Sequence, residues 1–195
     1  MNTTTELPFS DPAKHQAAVE TLLLAKQILG GLKVPFWLSH GTLLGAIRDN
    51  NFIAHDSDID LGIWDDCGSH IRIYIAFTAA GFRLAHEYGQ HGLGHQYSFW
   101  SPQGVYTDLF FYASGHLYSY CTIWKSPTEP RQQFFPPAGK FKMIEFQSGE
   151  YRVPHHAKAW LEANYGPDWR TPIAPVERGG TWHWADSPMN YEAAK

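Results

Sequence analysis

FWLSHGTLLGAIRDNNFIAHDSDIDLGI, residues 36–63, sets a Gly-Thr turn and a short helical segment immediately ahead of an Asp-x-Asp-x-Asp strand. In an extended segment side chains alternate faces, so residues two apart share a side. Ile59, Leu61 and Ile63 therefore point toward a core, and Asp56, Asp58 and Asp60 point the other way. Carboxylates repeating at about 6–7 Å on one face repel one another and raise each other's pKa. A divalent cation relieves that conflict, and all-oxygen ligation suits Mg²⁺ or Mn²⁺. Taken alone, the Asp-x-Asp pattern is also compatible with an exposed acidic strand end or with Asp residues capping a turn.

The residues on either side narrow the choice. Pro35 to Ser39 has strand character, His40-Gly41-Thr42 turns, and Leu43 to Arg48 continues as a helix. Gly41 lets backbone approach a ligand closely, and Thr42 offers a hydroxyl and an amide at a helix N-terminus, where orphan N–H groups favour an anion. Gly41 and Thr42 are thus candidate donor-phosphate contacts. Arg48 reaches a phosphate or pairs with one of the Asp residues, unless it is simply a solvated surface arginine. A third carboxylate is expected from a neighbouring strand, and the apolar segment VYTDLFFY (105–112) supplies Asp108. Burying an unpaired carboxylate is costly, so Asp108 is expected to ligate metal with Asp58 and Asp60 or to act as a base. Strand, Gly-Thr turn, short helix, then acidic strand is the order used by nucleotidyltransferase-fold enzymes. The expected architecture is α+β: a mixed sheet flanked by helices, in a single domain spanning 1–195 with its core over about 30–175 and a small C-terminal helical lobe.

These residues resemble the LicD and fukutin family, whose pattern is x-W-L-S-x-G-T-L-L-G-x-x-R followed by D-x-D-x-D-[IL]-G-[IVL]. Trp37-Leu38-Ser39, Gly41 to Gly45, Arg48 and Asp56 to Gly62 fit it, and Thr107 to Tyr112 is similar to the family's D-[IV]-F-x-[FY] strand. Tyr151 to Pro154 and Leu161 to Pro172 resemble its V-P-x(n)-L-x-x-x-Y-G-x-x-W-x-x-P ending, in wording nearest the fukutin branch. His40, Ser57 and His55 depart from the usual Gly, Asp and Trp, without removing a proposed ligand. The cysteine-rich zinc insertion of some fukutin-related proteins has no counterpart, since Cys67 and Cys121 lie far apart.

The resemblance implies transfer of a phospho-alcohol, such as phosphocholine or ribitol phosphate, from a CDP-linked donor to a hydroxyl of a saccharide or glycolipid, with CMP leaving. It implies that Asp58 and Asp60 hold Mg²⁺ or Mn²⁺ on the donor pyrophosphate, that Asp108 completes the metal shell or takes the proton, and that Asp56 is either a further metal ligand or lies behind them. Tyr165 and Trp169, in the matching C-terminal block, become candidate acceptor or base contacts. Two other readings stand beside this one: a minimal nucleotidyltransferase releasing pyrophosphate, and a non-catalytic glycan- or nucleotide-binding module. Three clustered carboxylates argue against the last.

Composition bounds the rest. A chain of 195 residues with 44% hydrophobic content buries one good core. The formal charge of −4 and the lack of any polybasic run give no electrostatic case for nucleic acid or anionic lipid. Two separated cysteines make no disulfide framework, and the first residues, MNTTTELPFSDPAK, lack a signal sequence. No run approaches the roughly 18 apolar residues of a membrane span. The expected location is therefore the cytoplasm.

Asp11-Pro12 is a helix start, and Val19, Leu22, Leu23 and Leu29 supply a buried stripe up to Gly30-Gly31. Cys67 to Ala80 is expected to be helical, followed by a strand pair at Phe82–Glu87 and Gln96–Trp100. Ser126 to Lys140, with four prolines, reads as a long surface loop. Among eleven histidines, His91 and His95 lie four apart, but Gly92 and Gly94 between them weaken any helix that would align them on zinc. Most of the eight tryptophans are expected in packing.

Overall fold

Asp11 opens the first helix, α1 (Pro12–Gly31): its carboxylate accepts the Lys14 amide at 2.9 Å, and Pro12 occupies the first turn. Ala18, Leu22, Ala25 and Leu29, spaced at helical period, are fully buried, so α1 lays one stripe on the sheet. The computed structural model describes residues 7–65, 69–89, 94–114, 118–124, 130–137 and 139–172. After α1 come β1 (Phe36–Leu38), α2 (His40–Arg48), β2 (Asp58–Trp64), α3 (Ser69–Ala79), β3 (Arg83–Tyr88), β4 (Gln96–Trp100) and β5 (Tyr106–Ser114). The remaining elements are β6 (Ser119–Trp124), β7 (Pro130–Phe135), β8 (Phe141–Phe146), β9 (Gly149–Pro154) and α4 (Ala157–Tyr165).

Seven strands form one mixed sheet in the order β1-β2-β5-β4-β3, with β6 continuing from β5 and β7 pairing β6. The pair β2–β5 is parallel and the other pairs are antiparallel. A parallel pair needs a crossover, which the chain supplies by way of α3 and the β3–β4 hairpin. Strands β8 and β9 form a separate antiparallel hairpin.

Alternation along the strands sorts the two faces. Ile59, Leu61 and Ile63 of β2, Tyr97 and Phe99 of β4, and Leu109 and Phe111 of β5 are buried in the larger core with the α1 stripe and with Ile73 and Phe77 of α3. The opposite face is covered only in part. There Trp37, Phe110 and Tyr112 pack with Cys121, Ile123, Phe135 and Trp160, a second core built from β6, β7 and α4. Trp37 sits opposite Gly62 in the β1–β2 ladder, and a Cβ at Gly62 would fall inside the Trp37 indole. Only glycine fits there.

Most expected elements are present with shifted ends. Helix α2 starts at His40, inside the segment expected to be a turn, with Ser39 extended as its N-cap. Helix α3 is described from Ser69; Cys67, the expected start, lies outside the described residues. The expected strand pair is β3–β4. The surface loop expected over Ser126–Lys140 is contradicted: Pro130 to Phe135 is a strand paired with β6, and Phe134 and Phe135 are buried. Pro130 is tolerated because it is the first residue of that strand, where proline interrupts no interior ladder bond. The proline count concealed an apolar pair of aromatics that needed covering.

Gly62→Ala is expected to destabilise the fold by about 1–3 kcal/mol through overpacking against Trp37. Gly30→Ala, at a position in α1 where an added Cβ meets nothing within 4 Å, should be neutral or stabilising by up to about 1 kcal/mol. Urea unfolding of both variants checks the pair.

Candidate active site

The site begins with register. Parallel pairing of β2 with β5 sets Asp60 directly opposite Asp108, and Asp58 lies two residues earlier on the same face. One carboxylate oxygen from each of Asp58, Asp60 and Asp108 falls within 4.8 Å of the others. Asp60 and Asp108 are 6% and 9% exposed. Asp56 joins them from outside the strand: β2 begins at Asp58, and Asp56 sits in the preceding turn, where its amide donates to Ile53 O at 3.0 Å and its carbonyl accepts the Phe9 amide at 2.7 Å. Its side chain nevertheless hydrogen-bonds Asp58. The expected run of three alternating Asp residues is therefore two on the strand and one folded in beside them.

Burial is the main reason that the pKa values of Asp56, Asp60 and Asp108 are raised, and mutual repulsion is the second. Asp108 is pushed up to about 7, by desolvation first and then by the Asp58 charge. Asp60 is raised well above the usual carboxylate range by desolvation and by Asp58 and Asp108, and Asp56 by desolvation and by Asp58 and Asp60. Among the described residues, no cationic side chain acts on Asp60 or Asp108 strongly enough to offset this. Arg48 does not supply the missing charge. Its guanidinium is tied to its neighbour Asp49, with Nε to Oδ1 at 2.8 Å and Nη2 to Oδ2 at 2.7 Å. A hard divalent cation fits this all-oxygen donor set, so Asp58, Asp60 and Asp108 form a group able to hold a metal ion.

The first turn of α2 wraps Asp60. The Gly41 amide donates to Asp60 Oδ2 at 2.8 Å, and the Asp60 amide donates to Thr42 Oγ1 at 2.9 Å. A Cβ on Gly41 would stand 2.6 Å from Asp56 Oδ2 and 3.1 Å from Asp60 Oδ2, so glycine is what lets the backbone approach the carboxylates. His40, just before it, has φ +37°, an uncommon conformation for a side chain with a Cβ. Its imidazole is fully buried, 3.1 Å from Tyr112 Oη and 3.3 Å from Asn164 Nδ2, and burial lowers its pKa to about 3, leaving it neutral. The α2 turn is thereby joined to β5 and to α4.

Helix α4 also brings Tyr165 to the site. Desolvation raises its phenol well above its usual range, the charges of Asp60, Asp56 and Asp58 raise it further, and Arg48 opposes them, so the phenol lies within electrostatic reach of the carboxylates. Trp169 behaves differently. It is 4% exposed in the larger core, with the Arg170 guanidinium over its ring at 4.3 Å, and presents no open face for a ligand. His95 is buried and bonded through Nε2 to Glu87 at 2.9 Å, while His91 lies outside the described residues.

Two site residues escaped the reading of the sequence. Ser98 Oγ donates a short hydrogen bond to Asp108 Oδ1, and Gln96 also hydrogen-bonds the Asp108 carboxyl. Both bonds favour its ionised form. Both residues lie on β4, at alternate positions of QYSFW (96–100) facing β5. The only sequence signal was that alternation of polar residues with aromatics.

Comparison with known proteins agrees with this geometry. A sequence model described as LicD/FKTN/FKRP, nucleotidyltransferase domain, matches residues 33–156. The ribitol-5-phosphate transferase FKTN of Homo sapiens is 34% identical over 183 residues, covering 92% of this chain and 38% of that protein. FKTN of Mus musculus is 34% identical over 180 residues, covering 91% of this chain and 37% of that protein. The chain thus spans under two-fifths of the length of these relatives. Among solved structures, the lincosamide antibiotic adenylyltransferase LnuA bound to lincomycin superposes with a TM-score of 0.51 at 12% identity, covering 82% of this chain and 91% of that one, which shows a shared nucleotidyltransferase fold. No helix among the described residues is long and apolar enough to cross a membrane. With its acidic strand, Gly-Thr turn and third carboxylate inside the matched segment, the chain belongs to the LicD/FKTN/FKRP family, of which it carries the nucleotidyltransferase domain.

Proposed function

We propose that this protein is a divalent-metal-dependent phosphotransferase that moves ribitol phosphate, or a similar phospho-alcohol, from a CDP-linked donor to a hydroxyl of a glycan and releases CMP. The observation that carries this reading is the three-carboxylate group on the β2–β5 pair, all within 4.8 Å, in a chain similar to proteins named ribitol-5-phosphate transferases.

In this reading Asp58, Asp60 and Asp108 would hold the ion, which when bound would supply positive charge against the donor pyrophosphate. The Gly41 amide keeps Asp60 aimed at that position, and Thr42, whose oxygen accepts from Asp60, still has its own hydroxyl proton to donate to a donor phosphate. Arg48 reaches the same phosphate only by leaving Asp49. Asp108, held at one oxygen by Ser98, takes the proton of the acceptor hydroxyl. The acceptor oxygen forms a bond to the phosphorus that carries the alcohol. The bond from that phosphorus to the CMP oxygen breaks, and CMP leaves with its electron pair. The product is a phosphodiester joining alcohol and glycan.

The leaving group tests the reading. Incubated with CDP-ribitol and Mn²⁺, the protein is expected to accumulate CMP; pyrophosphate release from CTP or ATP without CMP release from CDP-ribitol would overturn phospho-alcohol transfer in favour of nucleotidyl transfer.

Asp58→Asn and Asp60→Asn should each lower CMP release by about a hundredfold or more. Their metal-free melting temperatures should equal or exceed wild type, because each change removes one member of a repelling group. Wild-type turnover in either variant would contradict the assignment.

Protonation gives a further check. A carboxyl raised in the folded state contributes stability that is fully present below its unfolded pKa and is lost as pH rises through its folded pKa. For Asp108 that window runs from about 4 to about 7. Protons and cations compete for the same oxygens, so the rise in melting temperature on adding Mg²⁺ or Mn²⁺ should grow between pH 5 and pH 7.5. Thermal shifts measured with and without metal across that range show the sign.

A further inference from the structure

The sheet face that carries Asp60 and Asp108 does not end at β5. Across the ladder Asp60 is opposite Asp108, Asp108 is opposite Ser98 on β4, and Ser98 is opposite His86 on β3. Directly paired residues share a face, so one row runs from the proposed metal ligands to the far edge of the sheet. The next row runs Phe110, Gln96, Tyr88.

Three rings stand in near-parallel planes along this edge. His86 and Tyr88 lie 5.3 Å apart at 14°, and Tyr88 and Trp124 lie 6.1 Å apart at 17°. Trp124 is fixed by its indole N–H on Gly94 O at 2.8 Å, and its amide faces Gln96 Oε1 at 3.4 Å. Gln96 in turn hydrogen-bonds Asp108, so the ring array and the carboxylate share a support. On the other side of Ser98 the Tyr106 hydroxyl bonds Ser98 and is near enough to Tyr88 and Asp58 to feel both. None of His86, Tyr88, Tyr106 and Trp124 belongs to either hydrophobic core. His86 is exposed and the other three are half-buried. Neither hydrophobic core therefore accounts for this set of aromatics.

Position relative to the α2 turn says which substrate they would meet. Gly41 closes on Asp60 and Asp56 at the β2 side. The rings begin beyond Asp108, on the opposite side. A donor whose phosphates lie toward α2 leaves the β4–β3 side to the group that is attacking. We propose that His86, Tyr88 and Trp124 form the acceptor subsite, an aromatic stack whose exposed end, the outer face of the His86 ring, takes the apolar face of a pyranose ring, with the hydroxyls of Tyr88 and Tyr106 available to its polar edge. Flat rings with a polar tip suit such a ligand, which has one C–H face and a rim of hydroxyls. The assignment rests on the phospho-alcohol transfer reading for its choice of acceptor over donor.

Saturation-transfer NMR on the full chain tests it, with methyl β-pyranosides of galactose, glucose and N-acetylgalactosamine as one set of probes and CMP with Mg²⁺ as the other. Wild type is expected to saturate the ring C–H protons of at least one pyranoside. Tyr88→Ala should reduce that signal at least fivefold and leave the CMP signal unchanged. His86→Ala, at an exposed position, should weaken it as well and covers the case in which Tyr88→Ala does not fold. The proposal is overturned if wild type binds no pyranoside, if the pyranoside signal survives both substitutions, or if it is the CMP base protons that lose their signal. Failure of the transfer reading itself would show separately, as absence of any CMP signal in wild type.

Discussion

Parallel pairing of β2 with β5 places Asp60 opposite Asp108, and the site is organised around the repulsion that this creates. Neighbouring strands lie about 4.8 Å apart, so side chains directly across the ladder cannot avoid each other. Burial and the neighbouring Asp58 charge raise Asp60 well above the usual carboxylate range and push Asp108 up to about 7. The site is thus a local conflict that the surrounding structure keeps in place and that the proposed cation would relieve by ligation.

Several elements share in holding it. The Gly41 amide restrains Asp60, Ser98 and Gln96 restrain Asp108, and Asp56 hydrogen-bonds Asp58 from the turn before the strand. His40 ties the α2 turn to Tyr112 on β5 and to Asn164 on α4. The second core, with Trp37 over Gly62 and Trp160 against Phe135, anchors that end of the sheet. One face of the sheet is closed by α1 and α3, and the other is closed only where β6, β7 and α4 cross it.

Local patterns were readable wherever one face of an element is apolar or one residue type has a single use. The Asp11-Pro12 cap, the α1 stripe, the β3–β4 pair and the alternation of Ile59, Leu61 and Ile63 all follow from periodicity and capping. The three metal-ligand candidates were also legible, because an Asp within VYTDLFFY has no bland explanation at a core position. The strand Pro130–Phe135 was not legible, since its proline and polar residues, among the other prolines of 126–140, resemble a loop and its partner β6 decides its conformation. Trp169 read as a ligand contact from its motif, yet it packs in the core, where an indole fills volume.

By itself the sequence determined the fold class and the acidic strand with its Gly-Thr turn, and marked Asp108 as a carboxylate in an apolar run, because alternation and apolar runs are properties of neighbours along the chain. Tertiary structure decided what supports them. Ser98 and Gln96 reach Asp108 only through the β4–β5 register, Tyr165 comes within electrostatic reach of the carboxylates only through the docking of α4, and Asp56 joins the site from a turn. The row that continues to His86 and Tyr88 likewise exists only in the assembled sheet. Contacts between residues far apart in sequence depend on which strand lies beside which, and local periodicity does not encode that order.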